Sequence, residues 1–327
     1  MNNKINVMVN GLPGKMAKEV LLASLAAEDL ALIGHSLTGP EINYDLFEDV
    51  LLIRPDSREK EIGGVKKNVP DFISVDYTQP DTINSNADFY CRHELPFVIG
   101  TTGGDRKALE QRVRDSQICA VIAPNMAKQI VALQDFISEY ATFHTNEMIG
   151  CGLEVIESHQ QGKKDTSGTA KAMVQYFNKM GIPFDINNIT MIRDPEKQKI
   201  MGVPTEYLGG HGWHTYILKP TSHESSFAVE NFSRALMLNL FFNNPALKGY
   251  NVSDGKKPYE TLAVSPDGNV LLSTGKTNEG CFKITHNING RSVYVDGTLD
   301  AIRFLDKKVK AGEKGKAYSM IDVLRAN

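Results

Sequence analysis

The chain has 327 residues, 41% hydrophobic and 23% charged, a balance that supports a packed core and fits two domains of roughly 100–200 residues each. A formal net charge of -3 gives no electrostatic reason to expect nucleic acid or an anionic membrane as partner, and no apolar run approaches the ~20 residues that span a bilayer. Four scattered cysteines, Cys91, Cys119, Cys151 and Cys281, form no CxxC pair, which points away from a disulfide framework or thiolate metal site and toward the cytoplasm.

INVMVN (5–10) reads as a buried strand, close to the start and without signal-peptide architecture. NGLPGKM follows, and then KEVLLASLAAE, with Val20, Leu21 and Leu25 at helical spacing. Strand, glycine turn and helix open a dinucleotide-binding unit, although the full GxGxxG is absent. Gly11 and Gly14 remain, spaced so that backbone N–H groups can face a pyrophosphate, with Lys15 and Met16 behind them. A plain strand-to-helix turn would look similar. The strands at 30–36, 72–78, 96–103 and 118–125, with helices at 80–93 and 105–115, strengthen the reading. They imply an α/β fold with a Rossmann-like, doubly wound parallel sheet.

Ligands of such sheets lie beyond the carboxyl ends of the strands. Three strand ends therefore supply candidate cofactor contacts: Asp76 and Thr78; Gly100, Thr101 and Thr102; Pro124, Asn125 and Met126. At the end of the second strand, GHSLT offers no carboxylate for ribose hydroxyls. That gap, with Lys15 in the first turn and hydroxyls on Ser36 and Thr38, leans toward the 2′-phosphate of NADPH, with NADH possible. Residues 40–70 read as a charged, irregular surface excursion.

A helix from Met126 (KQIVALQDFISEYATF) leads to EVIESHQQGKKDTSGTAKAM at 154–173. The apolar run 153–156 delivers His159, then Lys163, Lys164 and Asp165, and Ser167-Gly168-Thr169 opens a helix. A helix N-terminus beside a histidine and a lysine can hold an anion next to an acid/base group. Farther on come GWHTYIL, an apolar helical or strand-like run at 227–242, and a hairpin candidate, TLAVSPDGNVLLST, turning on Asp267-Gly268. The alternating strand CFKIT, a helix at 297–312 and AYSMIDVL complete the sequence.

ESHQQGKKDTSGTAKAM resembles the signature of the dihydrodipicolinate reductase family, E-x-H-H-x-x-K-x-D-x-P-S-G-T. GTTGGDR, APNMAKQIV, IRDP…GVP, GWHTY, ITHNINGRSVYVDGT and YSMIDVL resemble its plant-type branch, in the family's order from residue 5 to 325. The resemblance implies NAD(P)H-dependent reduction of 4-hydroxy-tetrahydrodipicolinate to tetrahydrodipicolinate, in lysine and diaminopimelate biosynthesis. It implies His159 as acid/base or polarising group and Lys163 as proton donor. Gly168 and Thr169, with Ser167, would hold one carboxylate of a dicarboxylate substrate. Gln160 stands where the bacterial string has its second histidine, and one residue is missing before Ser167. The His-x4-Arg spacing of the family is met by His286 and Arg291, the second carboxylate contact, and not by His223 and Arg234.

By the same resemblance, residues 1–126 and 303–327 form a discontinuous dinucleotide-binding domain. Residues 127–302 form an α+β substrate and oligomerisation domain with a mixed open sheet. Relative to the family, about fifty extra residues, 221–272, lie in the second domain and are expected to pack on their own subunit. A homo-oligomer, dimer or tetramer, is implied, and no metal is expected. The rival readings are a reductase of another imine or oxo-dicarboxylate, and a dinucleotide-binding sensor without catalysis.

Overall fold

In the computed structural model the described residues are 4–242, 244–254, 261–277 and 280–326. The chain divides into two compact units, Met1–Lys128 with Tyr294–Asn327, and Gln129–Val293.

The first unit begins with β1 (Ile5–Asn10), α1 (Lys15–Ala26) and β2 (Leu30–Leu32). The expected strand at 30–36 is broken. After β2 the chain turns at Gly34, and β3 (His35–Leu37) leaves the main sheet to join β4 (Leu46–Phe47) and β5 (Val50–Ile53) in a three-stranded sheet. Helix α2 (Arg58–Asn68) follows. The expectation that 40–70 is an irregular excursion is therefore corrected: Leu52, Ile53, Ile62 and Val65 are buried. At roughly 1.5–3 kcal/mol per buried aliphatic side chain, these anchors fix the segment in place.

Next come β6 (Ile73–Asp76), α3 (Ile83–Arg92), β7 (Phe97–Ile99), α4 (Arg106–Arg114) and β8 (Cys119–Ile122). All pairings in the main sheet are parallel, and its strands are apolar on both faces, as a sheet covered by helices on each side requires. Met8, Phe97, Ile99, Ala120 and Ile122 belong to the core shared with Ile62, Phe89, Tyr90 and Leu109.

In the second unit, α5 (Lys128–Phe143) leads to β9 (Cys151–His159), α6 (Gly168–Lys179), β10 (Thr190–Ile192), α7 (Pro195–Ile200) and β11 (His211–Pro220). The 227–242 run is helical: α8 (His223–Leu236), capped by Ser222 and Ser225, passes into a π-helical turn. Leu236, Leu240 and Phe241 are buried, whereas Leu238 is exposed. Phe232 of α8 lies edge-on to Tyr140 of α5, Phe177 of α6 and Phe282 of the sheet, joining the helices to one sheet face.

The strands β12 (Asn251–Asp254), β13 (Thr261–Val264), β14 (Val270–Lys276) and β15 (Phe282–Asn289) complete a mixed sheet of order β10-β9-β11-β15-β14-β13-β12. The 221–272 segment thus adds strands to the edge of this sheet, and its residues 243 and 255–260 lie outside the described residues. The Asp267-Gly268 turn closes the hairpin, with Gly268 at φ +73°. His223 opens α8, and Arg234 is an exposed partner of Glu230.

The chain returns to the first unit through α9 (Val295–Lys310), β16 (Lys316–Tyr318) and α10 (Met320–Arg325). The β16 strand pairs in parallel with β8 and gives the order β16-β8-β7-β6-β1-β2. The compact first unit resumes at Tyr294, so it includes the whole of α9, whose Val295, Ala301, Ile302 and Leu305 are buried.

Candidate active site

The strand order of the first unit reverses between β1 and β6, whose ends, Asn10 and Asp76, are register partners. A cavity of about 420 Å³ opens there, bordered by Gly11, Gly14, Thr38, Arg58, Tyr77 and Thr78 among others. This is where a doubly wound sheet binds its ligand. Gly11 adopts φ +102°, and a Cβ on it would lie 2.5 Å from the Tyr77 carbonyl oxygen. Helix α1 has no side-chain cap on Gly14, so its first N–H groups are available to an anion. Lys15 and Met16 are the first residues of that helix.

Several expected cofactor contacts turn out to be braces. Ser36 is fully buried and accepts the Leu12 N–H at 3.4 Å, while the Thr38 hydroxyl donates to the Leu12 carbonyl at 2.6 Å. Both hydroxyls hold the first turn. Asp76 is also fully buried. Its carboxylate accepts from the Thr78 N–H and hydroxyl, Asn86 and Tyr90, so it shapes the cavity without facing it.

At the other strand ends, the Thr101 hydroxyl points back to the carbonyls of Asp76 and Thr78, and Thr102 is exposed. A Cβ on Gly100 would strike the Tyr77 ring. Pro124 is exposed, Asn125 caps the Ala127 N–H and Met126 is buried.

The sequence reading missed Arg58 and Glu41. Arg58 borders the cavity, donates to Asn86 at 2.9 Å and keeps a buried Nε without a partner. Glu41 also borders it, its carboxylate folded back over Gly39. Neither stands at a strand end, so position alone did not mark them.

In the second unit, strand pairing sets Glu157, His214 and His286 side by side across β9, β11 and β15. Glu157 is fully buried. It pairs with Arg193 and accepts the Ser167 N–H at 3.0 Å. Ser167 caps α6 through the Ala170 N–H and lies 3.1 Å from His214 Nε2. Gly168 and Thr169 form the first turn of α6, where backbone N–H groups have no intrahelical carbonyl to bond. Lys163 pairs with the exposed Asp165 at 2.8 Å. Gln160 begins the loop, its carbonyl accepting the Lys163 N–H.

The His159 ring lies 5.0 Å from that of His214, which stacks on His286 at 4.5 Å. His159 Nδ1 faces the His211 carbonyl at 3.2 Å. A carbonyl can only accept, so Nδ1 carries the proton and Nε2 is left as an acceptor. Burial, then the charges of Arg193 and Lys163, push His159 down to about 4, and burial pushes His286 down to about 3. His214 is likewise held well below its ordinary value by burial. His286 is interior and packed on His214. Arg291 lies beside Gly210, just before β11 and at the end of the sheet where Gly212 pairs with His159.

Glu157, His159 and His214 are close enough to share a cation, with ligand atoms within 4.8 Å of one another. The Glu157 carboxylate is already engaged by Arg193 and Ser167, and two cationic side chains bear on the imidazoles. The cluster therefore suits an anion better than a metal ion.

The three depressed histidines also carry a stability consequence. An unfolded chain binds protons at these imidazoles below about pH 6.5 while the folded chain refuses them, so stability falls as pH drops from there toward about 4. The urea midpoint should fall over that range, and His286→Gln should flatten the fall. An unchanged slope in that variant would contradict the buried neutral assignment.

A parallel sheet with a phosphate cradle at its switch point, and a second unit with an anion-receptive helix N-terminus beside a lysine and a neutral histidine, define an NAD(P)H-dependent oxidoreductase of Rossmann type. Residues 5–126 match the family model described as dihydrodipicolinate reductase, N-terminus. The chain is 36% identical over 324 residues to a probable 4-hydroxy-tetrahydrodipicolinate reductase 1, chloroplastic, of Oryza sativa subsp. japonica, covering 98% of this chain and 78% of that one. It is 36% identical over 328 residues to 4-hydroxy-tetrahydrodipicolinate reductase 2, chloroplastic, of Arabidopsis thaliana, covering 99% and 78%. A dipicolinate-bound dihydrodipicolinate reductase from Paenisporosarcina sp. TG-14 shares the fold, with a TM-score of 0.57 at 16% identity over 98% of this chain and all of that one. The chain belongs to the 4-hydroxy-tetrahydrodipicolinate reductase family, in its plant-type branch. Among the described residues no helix is long and apolar enough to cross a membrane.

Proposed function

We propose that the protein reduces 4-hydroxy-tetrahydrodipicolinate to tetrahydrodipicolinate, in the route to diaminopimelate and lysine, with NADPH preferred and NADH accepted. The observation that carries this reading is the β9–α6 loop, which holds Lys163 in sequence between His159 at the end of β9 and the N-terminus of α6, in a chain of this family.

The first unit is the dinucleotide-binding unit: Gly11, Gly14 and the first N–H groups of α1 would take the pyrophosphate, and Thr78 would line the crevice. The nicotinamide, when bound, supplies a hydride to the ring carbon of the substrate. The other roles fall to groups of the second unit. The Gly168 and Thr169 N–H groups hold one carboxylate, and the Arg291 fork holds the other. The 4-hydroxyl leaves as water, and Lys163 delivers the proton that balances the hydride. His159, neutral and with a free Nε2, accepts a hydrogen bond from the substrate and does not act as a cationic acid.

Arg58 is the proposed partner of the 2′-phosphate, and Glu41 that of the ribose hydroxyls when NADH is used. A charge-assisted hydrogen bond is worth about 1.5–3 kcal/mol, so Arg58→Ala should lower kcat/KM for NADPH roughly ten- to hundredfold and leave NADH nearly unchanged. Equal losses with both cofactors would remove Arg58 from this role.

The second sheet also has a half-exposed face carrying Ile156, Trp213, Thr215, Ile217 and Leu271, which supports a homo-oligomer formed through it. Four free cysteines support a reducing compartment, the cytoplasm or, as in the names of the plant relatives, a plastid.

The functional reading is tested by a coupled assay that supplies aspartate semialdehyde, pyruvate and the preceding synthase, with NADPH and NADH compared. Oxidation of the cofactor that depends on all three additions is expected. No oxidation of either cofactor by a folded, cofactor-binding protein would overturn the reading and leave a dinucleotide sensor.

A further inference from the structure

We propose that Arg193 and Glu157 are positioning residues that set Lys163, and that they do so as one buried clamp on the loop between β9 and α6. The proposal rests on the reading of Lys163 as proton donor.

The loop from Gln160 to Thr166 has no strand or helix of its own, so its shape depends on what its backbone touches. Arg193 stands just after β10, which pairs in parallel with β9. Its Nε donates to the Lys163 carbonyl at 2.9 Å, and one terminal nitrogen donates to the Asp165 carbonyl at 3.3 Å while pairing with Glu157. The other donates to the Ile192 carbonyl at 3.2 Å. Glu157 in turn accepts the Ser167 N–H at 3.0 Å, which fixes the loop's far end and the start of α6. Gln198, fully buried, donates to the His159 carbonyl at 2.7 Å and fixes the near end.

The clamp therefore touches the loop at its middle and end, and Gln198 holds its beginning. Lysine has a long, rotamer-rich stem, so its ammonium is placed only as well as its backbone is. A fully buried carboxylate is tolerated because the guanidinium and the Ser167 N–H satisfy it. Only a planar fork can reach the carbonyls of Lys163, Asp165 and Ile192 together with a carboxylate; an ammonium at the same place keeps the charge and loses those directions.

Charge and geometry can thus be separated with Arg193→Lys, and Glu157→Gln gives a second, isosteric route that keeps an acceptor for Ser167. Both are measured in the full chain beside Lys163→Ala and the double variant Lys163→Ala/Arg193→Lys. Rates are scaled to the fraction that binds NADPH. A displacement of about 1 Å at the reacting groups costs on the order of a hundredfold, so Arg193→Lys should lower kcat between about ten- and a hundredfold, with NADPH affinity unchanged. The solvent deuterium effect on kcat should rise, because proton delivery becomes slower than hydride transfer. In the Lys163→Ala background the same substitution should cost nothing further, since its effect passes through the lysine.

A merely structural role would lower thermal stability, leave kcat per folded molecule at the wild-type value, and add its cost in full to that of Lys163→Ala. That result, from either Arg193→Lys or Glu157→Gln, overturns the proposal. Wild-type turnover in Lys163→Ala would instead overturn the proton-donor reading on which it rests. Loss in Lys163→Ala with none in the clamp variants sinks the clamp alone.

Discussion

Replacing Lys163 by alanine should lower kcat by about two to four orders of magnitude, the usual contribution of a positioned proton donor, while NADPH binds as before. The fold should survive the change. Among the described residues Lys163 pairs with Asp165, whose side chain is 74% exposed, and an ion pair with such a solvated partner contributes little to stability. The loop itself is fixed through backbone carbonyls, which the substitution leaves in place. His159 cannot substitute as acid, because burial and two neighbouring cations hold it at about 4 and its free nitrogen is an acceptor. Single-turnover measurement with premixed NADPH separates the chemical step from binding. A rate within a few fold of wild type would mean that the proton comes from elsewhere.

Gly11→Ala should destabilise the first unit by about 2–4 kcal/mol, combining the cost of a left-handed backbone with that of a forced contact. At φ +102° an alanine is strained whatever the surrounding space, and its Cβ would meet the Tyr77 carbonyl oxygen at 2.5 Å and the Thr78 nitrogen at 3.0 Å. Both neighbours are backbone of the loop after β6, so neither can swing aside as a side chain would. Relief requires the turn after β1 to lift away from the end of β6, which opens the switch point and should weaken NADPH binding at least tenfold (about 1.4 kcal/mol). Urea unfolding and fluorescence titration with NADPH measure the two effects. If both the midpoint and the affinity stay at wild-type values, the close approach of these turns has no role in the cradle.

The architecture was largely legible in the sequence where burial is two-sided. Strands such as 5–10, 72–76 and 119–122 are mostly apolar and carry apolar residues on both faces because helices cover both, and a run of that kind reads the same in any context. Residues 40–70 were not legible. Helix α2 buries only Ile62 and Val65 and contains two adjacent glycines, so its period is too faint to see among its charges. The break at Gly34 was hidden for the opposite reason, since both halves of 30–37 are strand.

At the candidate site, His159, Lys163 and Ser167-Gly168-Thr169 stood out because they are contiguous. Glu157, Arg193, Gln198 and His214 did not, because they meet only when β10, β9 and β11 pair, and register is a property of the fold. The strand-end hydroxyls and carboxylate also have contacts that sequence did not show. A small polar side chain at such a place can face a ligand or brace the turn that does, and Ser36, Thr38 and Asp76 brace it.

The discontinuous first unit has a consequence for how the chain acquires its shape during synthesis. The ribosome releases β1 to β8 first, but β8 remains an open edge until β16 arrives from beyond Tyr294, and the sheet face under α9 stays bare until then. All of Gln129–Val293 is made in between. At roughly 5–20 residues per second, the interval is on the order of ten to thirty seconds. The nascent nucleotide unit must wait through it with an unpaired parallel strand, while the second unit, continuous in sequence, can close on its own. The buried face of α9 and the short strand β16 thus emerge only after the second unit, and they end the exposure of that edge.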